Sequence, residues 1–381
     1  MHWTGGASSK SAAADPVAVI GGGPGAAAAA LTLARHGARV VLFRPARPGE
    51  KPCGGALPAS RLPPLPGFDL GALPSVEATR FLVENADGSC VALDVEGVYV
   101  YRRADLDAAL VDTAVAAGAE LVAHRVESLE HGDRGVDLVA DGCRRRFSWV
   151  ICADGGRGLS RRSLGRFSAG DSLGIGASID GDFGNCLTLA FPGVTDAYLW
   201  IFPRPGGVSV GVAYSEARLS RGAAESLLRR FLDRRLEGGA SRLAEGRRYR
   251  YPIPVYGSDT LPALEAGVLR RLLLVGDAAG LADPLTREGI RYAILSGVLA
   301  AESLLENQPQ RYPRRVALEI GREMSRALAA RELFFEAPIG QLLVPVCRMH
   351  PGVRRVLADL LGCRQPYHGL RRRLLRSAVG L

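Results

Sequence analysis

The stretch VAVIGGGPGAAAAALTLARHGARVVLF, residues 17–43, decides the fold. Its first four residues, Val17–Ile20, are an apolar run typical of a buried strand. A glycine-rich turn follows at residues 21–26, and residues 27–35 form an alanine- and leucine-rich helix that ends near Gly37. The pattern predicts a strand, a tight turn and a helix, as in a dinucleotide-binding βαβ unit.

The glycine-rich turn carries the first candidate binding residues. A glycine at the start permits the turn, a second lets backbone amides approach a pyrophosphate, and a small third residue allows helix and strand to pack closely. The helix N-terminus then points its positive dipole end at the phosphates. The candidates are Gly21, Gly23, Pro24, Gly25 and Ala26.

A second strand is expected at residues 39–43, and Arg44 stands at its end. A Rossmann unit usually presents an acidic residue there to the ribose hydroxyls. Arginine cannot accept a hydrogen bond from a hydroxyl and favours phosphate instead. Arg44 is therefore a candidate cofactor contact and a departure from the usual pattern, and a turn that binds nothing stays open as the alternative.

Two later segments extend the pattern: ICADGGRGLSRRSLG at 151–165 and LLLVGDAAGLADPLTREGIRYAILSG at 272–297. With these three segments in this order, the chain resembles the glutathione-reductase-like flavoproteins with the hydroxybenzoate-hydroxylase fold. The resemblance implies bound FAD, with one segment near the pyrophosphate, a carboxylate on the ribityl chain, and a helix start at the flavin ring. The residues concerned are Asp154 and Gly155, then Gly276 and Asp277, then Pro284, Gly289 and Ile290. Asp277 could instead be a turn or N-cap residue.

Two further motifs resemble the geranylgeranyl reductase family: KPCGGAL at 51–57 and YLWIFP at 198–203. The resemblance implies that Cys53, Gly54 and Gly55 lie beside the flavin. Cys53 is a tentative catalytic residue, although a lone thiol is often inert.

Strand alternation in the second motif puts Tyr198, Trp200 and Phe202 on one face, a wall suited to an elongated apolar substrate. Ordinary core packing is the alternative. The resemblance also implies that Arg103 and Val126 lie near the cofactor.

Arg287 stands where the superfamily usually has a glycine. A positive φ at this position would cost an arginine about 1 kcal/mol or more. The side chain could bind a substrate phosphate or lie free in solvent.

The composition is that of a globular enzyme: 381 residues, 47% hydrophobic, with seven scattered cysteines and six histidines. The cysteines and histidines form neither a metal-binding pattern nor a disulfide framework, so no metal is expected. No motif supports nucleic-acid binding.

The sequences of the two chain ends lead to different predictions. Residues 1–15 lack an apolar signal core and are expected to be a disordered tail. The net charge of +9 is concentrated partly in the segment LRRRLLRSAVGL at 370–381. This basic amphipathic helix is either a solvated cap or a peripheral contact with an anionic membrane. The predicted localisation is cytoplasmic, with that membrane contact as an option.

The predicted fold class is α/β: a Rossmann-type FAD-binding domain interleaved with a mixed-sheet substrate domain, followed by a helical C-terminal segment. The FAD-binding domain is expected at 16–77, 101–165 and 267–310, the substrate domain at 78–100 and 166–266, and the helical region at 311–381. Alternation within 78–100 predicts a hairpin that turns at 86–88.

The resemblance implies that reduced flavin saturates carbon-carbon double bonds of a polyprenyl chain. No second dinucleotide-binding motif for a nicotinamide is evident, so electrons would come from transiently bound NAD(P)H, from a reduced ferredoxin or from a quinol. Two other functions stay open, a flavin-dependent monooxygenase on the same fold and a flavin- or lipid-binding protein without catalysis.

Overall fold

A computed structural model describes residues 16–46, 49–132, 135–165, 172–193, 196–336 and 339–378; the predicted tail at 1–15 lies outside them. The strands are β1 Val17–Ile20, β2 Val40–Phe43, β3 Ala56–Pro58, β4 Ser75–Glu84, β5 Cys90–Tyr101, β6 Glu120–Val122, β7 Val126–Gly132, β8 Gly135–Ala140, β9 Cys143–Phe147, β10 Val150–Cys152, β11 Ser172–Asp180, β12 Cys186–Ala190, β13 Ala197–Arg204, β14 Gly207–Ser215, β15 Arg247–Pro252 and β16 Leu272–Leu274.

The helices alternate with these strands and then follow them. They are α1 Pro24–Arg35, α2 Arg103–Ala116, α3 Leu159–Ser163, α4 Arg221–Arg235, α5 Gly239–Glu245, α6 Thr260–Leu269, α7 Ile290–Leu305, α8 Tyr312–Val316, α9 Arg322–Glu336, α10 Ile339–Met349, α11 Pro351–Leu361 and α12 Leu370–Ala378. Among the described helices, none combines the length and the apolar character that a membrane span requires.

A five-stranded parallel sheet has the order β16-β10-β1-β2-β6. Its central strands are short apolar runs buried on both faces, as parallel sheets covered by helices require. Helix α1 packs against α7 so closely that a Cβ on Gly297 would lie 2.3 Å from the Gly25 carbonyl oxygen. Because β1, β10 and β16 are parallel neighbours, the three glycine-rich segments that follow them emerge at one edge of the sheet.

An eight-stranded mixed sheet has the order β15-β11-β14-β13-β12-β4-β5-β3. One face packs against α4 through Leu228 and Phe231. The other face, which includes Phe81 and Trp200, packs against Val344 of α10 and Val353 of α11. This sheet therefore lies between α4 and the C-terminal helices. A small antiparallel sheet of β7, β8 and β9 completes the fold.

The predicted fold class is confirmed, with shifted element boundaries. Helix α1 begins at Pro24 rather than at residue 27, since proline is well suited to the first turn of a helix. The hairpin of β4 and β5 extends beyond the predicted 78–100 at both ends. The division into domains stays a prediction.

Candidate functional site

Close backbone contacts bring the three glycine-rich segments together. Gly21 has φ +132°, and a Cβ there would lie 2.3 Å from the Ala153 carbonyl oxygen. A Cβ on Gly25 would lie 2.7 Å from Cγ1 of Val275. Side chains at Gly21 and Gly25 would therefore separate the strand ends that form the site.

Two helix N-termini open at this edge of the sheet. Helix α1 has Gly23 as its N-cap and α7 has Gly289, and neither glycine can offer a capping side chain. A Cβ on Gly23 would meet only Nη2 of Arg103, at 3.9 Å, so packing does not require the glycine there. Open space beside a helix N-terminus is the arrangement that binds phosphate, and the site fits the FAD that the sequence predicts.

Asp277 lies just beyond β16 and is paired with Lys51 of the KPCGGAL loop. Nζ of Lys51 donates to Oδ2 of Asp277 at 2.8 Å. Burial opposes the charge on Lys51, but the Asp277 carboxylate and Tyr251 outweigh that effect and raise the Lys51 pKa. The pair leaves Oδ1 of Asp277 with acceptor capacity and holds the loop against the strand end.

The loop is also held at the start of α2. Glu50 accepts hydrogen bonds from the backbone amides of Arg103 at 3.0 Å and Ala104 at 2.8 Å, and from Nη1 of Arg204 at 2.6 Å. Sequence reasoning missed Glu50 because its partners lie 53 to 154 residues away in the chain.

Arg103 is buried next to the Cys53 thiol. Its guanidinium donates to both oxygens of Asp107, at 2.9 to 3.1 Å, and its side chain is only 2% exposed. Burial opposes its charge, but Asp107 and Cys53 raise the Arg103 pKa. The sulfur of Cys53 accepts from the Gly55 amide at 3.3 Å, which closes the loop on itself.

The aromatic residues of β13 lie on one face, as predicted. Tyr198 donates its hydroxyl hydrogen to the Thr286 carbonyl oxygen at 3.0 Å, and Nε1 of Trp200 donates to Oγ of Ser209 at 3.1 Å. Phe202 lies against Gly54, where a Cβ would come within 2.6 Å of its ring. Burial raises the Tyr198 pKa well above its ordinary value.

A cavity of about 610 Å³ runs from these motifs to the C-terminal helices, and its wall is overwhelmingly apolar. Most of the predicted site residues line it: Gly23, Pro24, Gly25, Cys53, Gly54, Gly55, Arg103, Gly155, Tyr198, Trp200, Phe202, Gly276, Asp277, Arg287, Gly289 and Ile290. The remaining candidates are not in its wall: Gly21, Ala26, Arg44, Val126, Asp154 and Pro284. Sequence reasoning missed Tyr249 and the leucines of α11 and α12, since no local pattern sets them apart from core residues.

The structure shows the surroundings of three of the residues outside the cavity wall, Asp154, Arg44 and Val126. The Asp154 carboxylate accepts from the hydroxyl and, at 2.9 Å, from the amide of Ser160, which holds the start of α3. The stem of Arg44 lies over Gly22, and its Nη1 is buried without a hydrogen-bond partner among the described residues. Val126 is a buried residue at the start of β7.

Arg287 has φ +61°, so the strained backbone considered from the sequence is present. Its side chain is 2% exposed and paired with Asp196, which also binds Arg331 of α9. The solvent-exposed alternative is therefore wrong for Arg287. Its Nε and Nη1 are buried without acceptors among the described residues.

The turn before α7 is braced by the C-terminal segment. Asp283 accepts from the amides of Leu285 at 2.8 Å and Thr286 at 2.9 Å, and from the Tyr367 hydroxyl at 2.9 Å. Burial raises the Asp283 pKa despite these donors. The tyrosine is 84 residues away from the aspartate, so the sequence offers no local sign of this contact.

Comparison with known proteins agrees with this geometry. No protein-family model matches the chain. It is 29% identical over 293 residues to digeranylgeranylglycerophospholipid reductase 2 of Methanopyrus kandleri, covering 69% of this chain and 71% of that protein. The match to a reductase of the same name from Methanothrix thermoacetophila, 30% identical, covers 36% of this chain and only 35% of that protein.

The fold is that of a geranylgeranyl bacteriochlorophyll reductase-like protein from Thermoplasma acidophilum, with a TM-score of 0.70, 22% identity and coverage of 96% and 99% of the two chains. Because identity is low, that likeness concerns the fold alone. Taken with the relatives at about 30% identity and the motifs assembled around the cavity, it shows that the chain is similar to the geranylgeranyl reductases and supports an FAD-dependent oxidoreductase.

Proposed function

We propose that this protein uses FAD to reduce carbon-carbon double bonds of a polyprenyl chain bound in the cavity. The observation that carries the proposal is the continuity of one apolar cavity, about 610 Å³ in volume, from the glycine-rich edge of the parallel sheet to α11 and α12. A long apolar chain fits such a wall, because burying its methylene groups is favourable and requires no polar partner.

Different segments of this chain would bind the different parts of FAD. The turn at 21–26 and the N-terminus of α1 would hold the pyrophosphate, Asp277 the ribityl hydroxyls, and the N-terminus of α7 the ring. Arg44 would contact the adenosine end through a phosphate oxygen. When bound and reduced, FAD supplies a hydride.

Saturating an alkene also requires a proton, and Cys53 is the proposed donor. Its thiol lines the cavity, as does the neighbouring Arg103. Tyr198 is a poorer donor because its hydroxyl hydrogen is held by the Thr286 carbonyl and burial raises its pKa. Solvent would return the proton to Cys53 between cycles, and Trp200 and Phe202 would keep water from the reacting carbons.

The same proposal includes the substrate, the membrane surface and the electron donor. The substrate would be an isoprenoid with one or more double bonds, met at a membrane surface through the basic C-terminal helix. Arg287 lines the cavity and would bind a phosphate group of the substrate through its positive charge. The external donor would be NAD(P)H, ferredoxin or a quinol.

An anaerobic reduction experiment tests the function. The purified protein would be reduced in the presence of a polyprenyl lipid extract, with the flavin followed by its visible spectrum and the lipids by mass. Gain of hydrogen pairs in an isoprenoid is the expected result. Flavin that reoxidises only with oxygen and leaves every lipid unchanged would indicate the monooxygenase, and protein that binds lipid without flavin would indicate a binding function.

A further inference from the structure

We propose that the outer end of the cavity docks on the surface of an anionic lipid bilayer. The inference rests on the proposed function, since a polyprenyl lipid would leave its membrane at this point. The cavity mouth is defined by Leu333 of α9, Leu342 of α10 and Leu375 of α12. These side chains line the cavity and yet are 56%, 52% and 61% exposed.

The part of the mouth formed by the C-terminal helices is strongly basic. Residues 339–378 include eight arginines and a single carboxylate, Asp359, which is already paired with Arg364 at 2.7 Å. Arg371, Arg372 and Arg376 lie on the exposed side of α12 together with Leu375. Among the described residues none of these three arginines has an ion-pair partner, so their charge is available to an external anion.

An anionic bilayer would bind both the exposed leucines of the mouth and the arginines of α12. The leucines would enter the boundary between headgroups and acyl chains, while the arginines remain at the level of the phosphates. The inner residues of α12, Leu370 and Leu374, continue the apolar wall into the cavity. A prenyl chain could thus move from acyl chains to leucines without crossing water, a path that a protein partner would not provide.

Vesicle sedimentation tests the inference on the full flavin-loaded chain. Wild-type protein should bind vesicles of equal parts phosphatidylglycerol and phosphatidylcholine, bind pure phosphatidylcholine far more weakly, and lose affinity as salt is raised. The double variant Arg372→Glu/Arg376→Glu should bind the anionic vesicles at least about tenfold more weakly. Leu375→Ser should also weaken binding, but keep its salt dependence.

Matched variants control for charge and hydrophobicity. Arg229→Glu/Arg230→Glu changes the same charge on the exposed side of α4, and Leu269→Ser removes a leucine that is 86% exposed at the end of α6. Both should bind vesicles as the wild type does. Equal losses in control and test variants, or binding that ignores lipid charge, would overturn the docking surface.

Turnover of detergent-dispersed lipid separates this inference from the proposed function. The Arg372→Glu/Arg376→Glu variant should keep that turnover and its flavin spectrum while losing vesicle binding. A protein that binds anionic vesicles through α12 but reduces no lipid would keep the docking surface and refute the reductase. Reductase activity without vesicle binding would refute the docking surface alone.

Discussion

The two ends of the cavity differ in the kind of wall that they present. At the parallel sheet the wall is largely backbone: Gly23, Gly25, Gly155, Gly276 and Gly289 all face it. At the C-terminal helices the wall is made of leucine side chains, and some of these are also exposed to solvent. An added Cβ would lie within 3 Å of another atom at Gly25, Gly155 and Gly276, whereas a side-chain wall can change its shape without losing its fold.

Gly21 lies just outside this wall, at the strand end behind it, and Gly21→Ala is the sharpest test of the glycine-rich edge. Its Cβ would lie 2.3 Å from the Ala153 carbonyl oxygen, at φ +132°. We expect the loss of retained flavin and about 2–4 kcal/mol of unfolding free energy, because strain and overpacking act together. Absorbance of the purified protein and urea unfolding measure the two effects.

Gly37→Ala is the control for that variant. Gly37 also has a positive φ, +75°, but a Cβ there would meet no atom within 4 Å. It should cost only about 1 kcal/mol and keep its flavin. If both variants behave alike, close approach of the segments is not what Gly21 provides.

Asp277→Asn tests the point where the KPCGGAL loop meets the backbone wall. The change weakens an acceptor and leaves Lys51 without its counter-charge, so we expect FAD affinity to fall about tenfold to a hundredfold. Fluorescence titration of the apoprotein with FAD measures the affinity. Lys51→Gln removes the same ion pair but keeps the carboxylate, and should weaken FAD less. Equal effects would show that Asp277 acts only through Lys51.

Leu357→Trp tests the side-chain wall. Leu357 is a partly buried residue of α11 that lines the cavity. The larger ring should shorten the cavity and lower kcat/KM for long prenyl substrates about tenfold, while short ones are little affected. The protein should still fold, at a cost of about 1–3 kcal/mol. Leu357→Met conserves volume and should leave chain-length preference unchanged; a uniform loss for all lengths would contradict this picture.

The smallest expected effect is the difference in stability between two variants of Arg287, a buried side chain of the cavity wall on a backbone of positive φ. Arg287→Ala and Arg287→Gly both remove the pair with Asp196, but only glycine relaxes the backbone at φ +61°. The glycine variant should therefore be more stable than the alanine variant by about 1 kcal/mol, measured by urea unfolding. Equal stability would mean that the backbone at this turn carries no strain.

Local patterns were enough to predict the elements around the glycine-rich edge. The strand, turn and helix at 17–35 depend on residues that are adjacent in the chain, whereas the helix start at Gly289 was implied by the family resemblance. The family motifs also led to the cavity, because Cys53, Tyr198, Trp200 and Phe202 all line it. The start of α1 was placed three residues too late, since proline and glycine suggested a longer turn than the structure has.

The sequence by itself determined the fold class, because a parallel strand, its glycine turn and the following helix need specific residues at adjacent positions. Only the tertiary structure decided which side chains meet across the chain: Glu50 with Arg204, Lys51 with Asp277, Asp283 with Tyr367, and Arg287 with Asp196. It also decided that the leucines of α11 and α12 form a cavity wall rather than an ordinary core. Such contacts depend on how distant segments pack, and packing is a property of the assembled chain that no local spacing encodes.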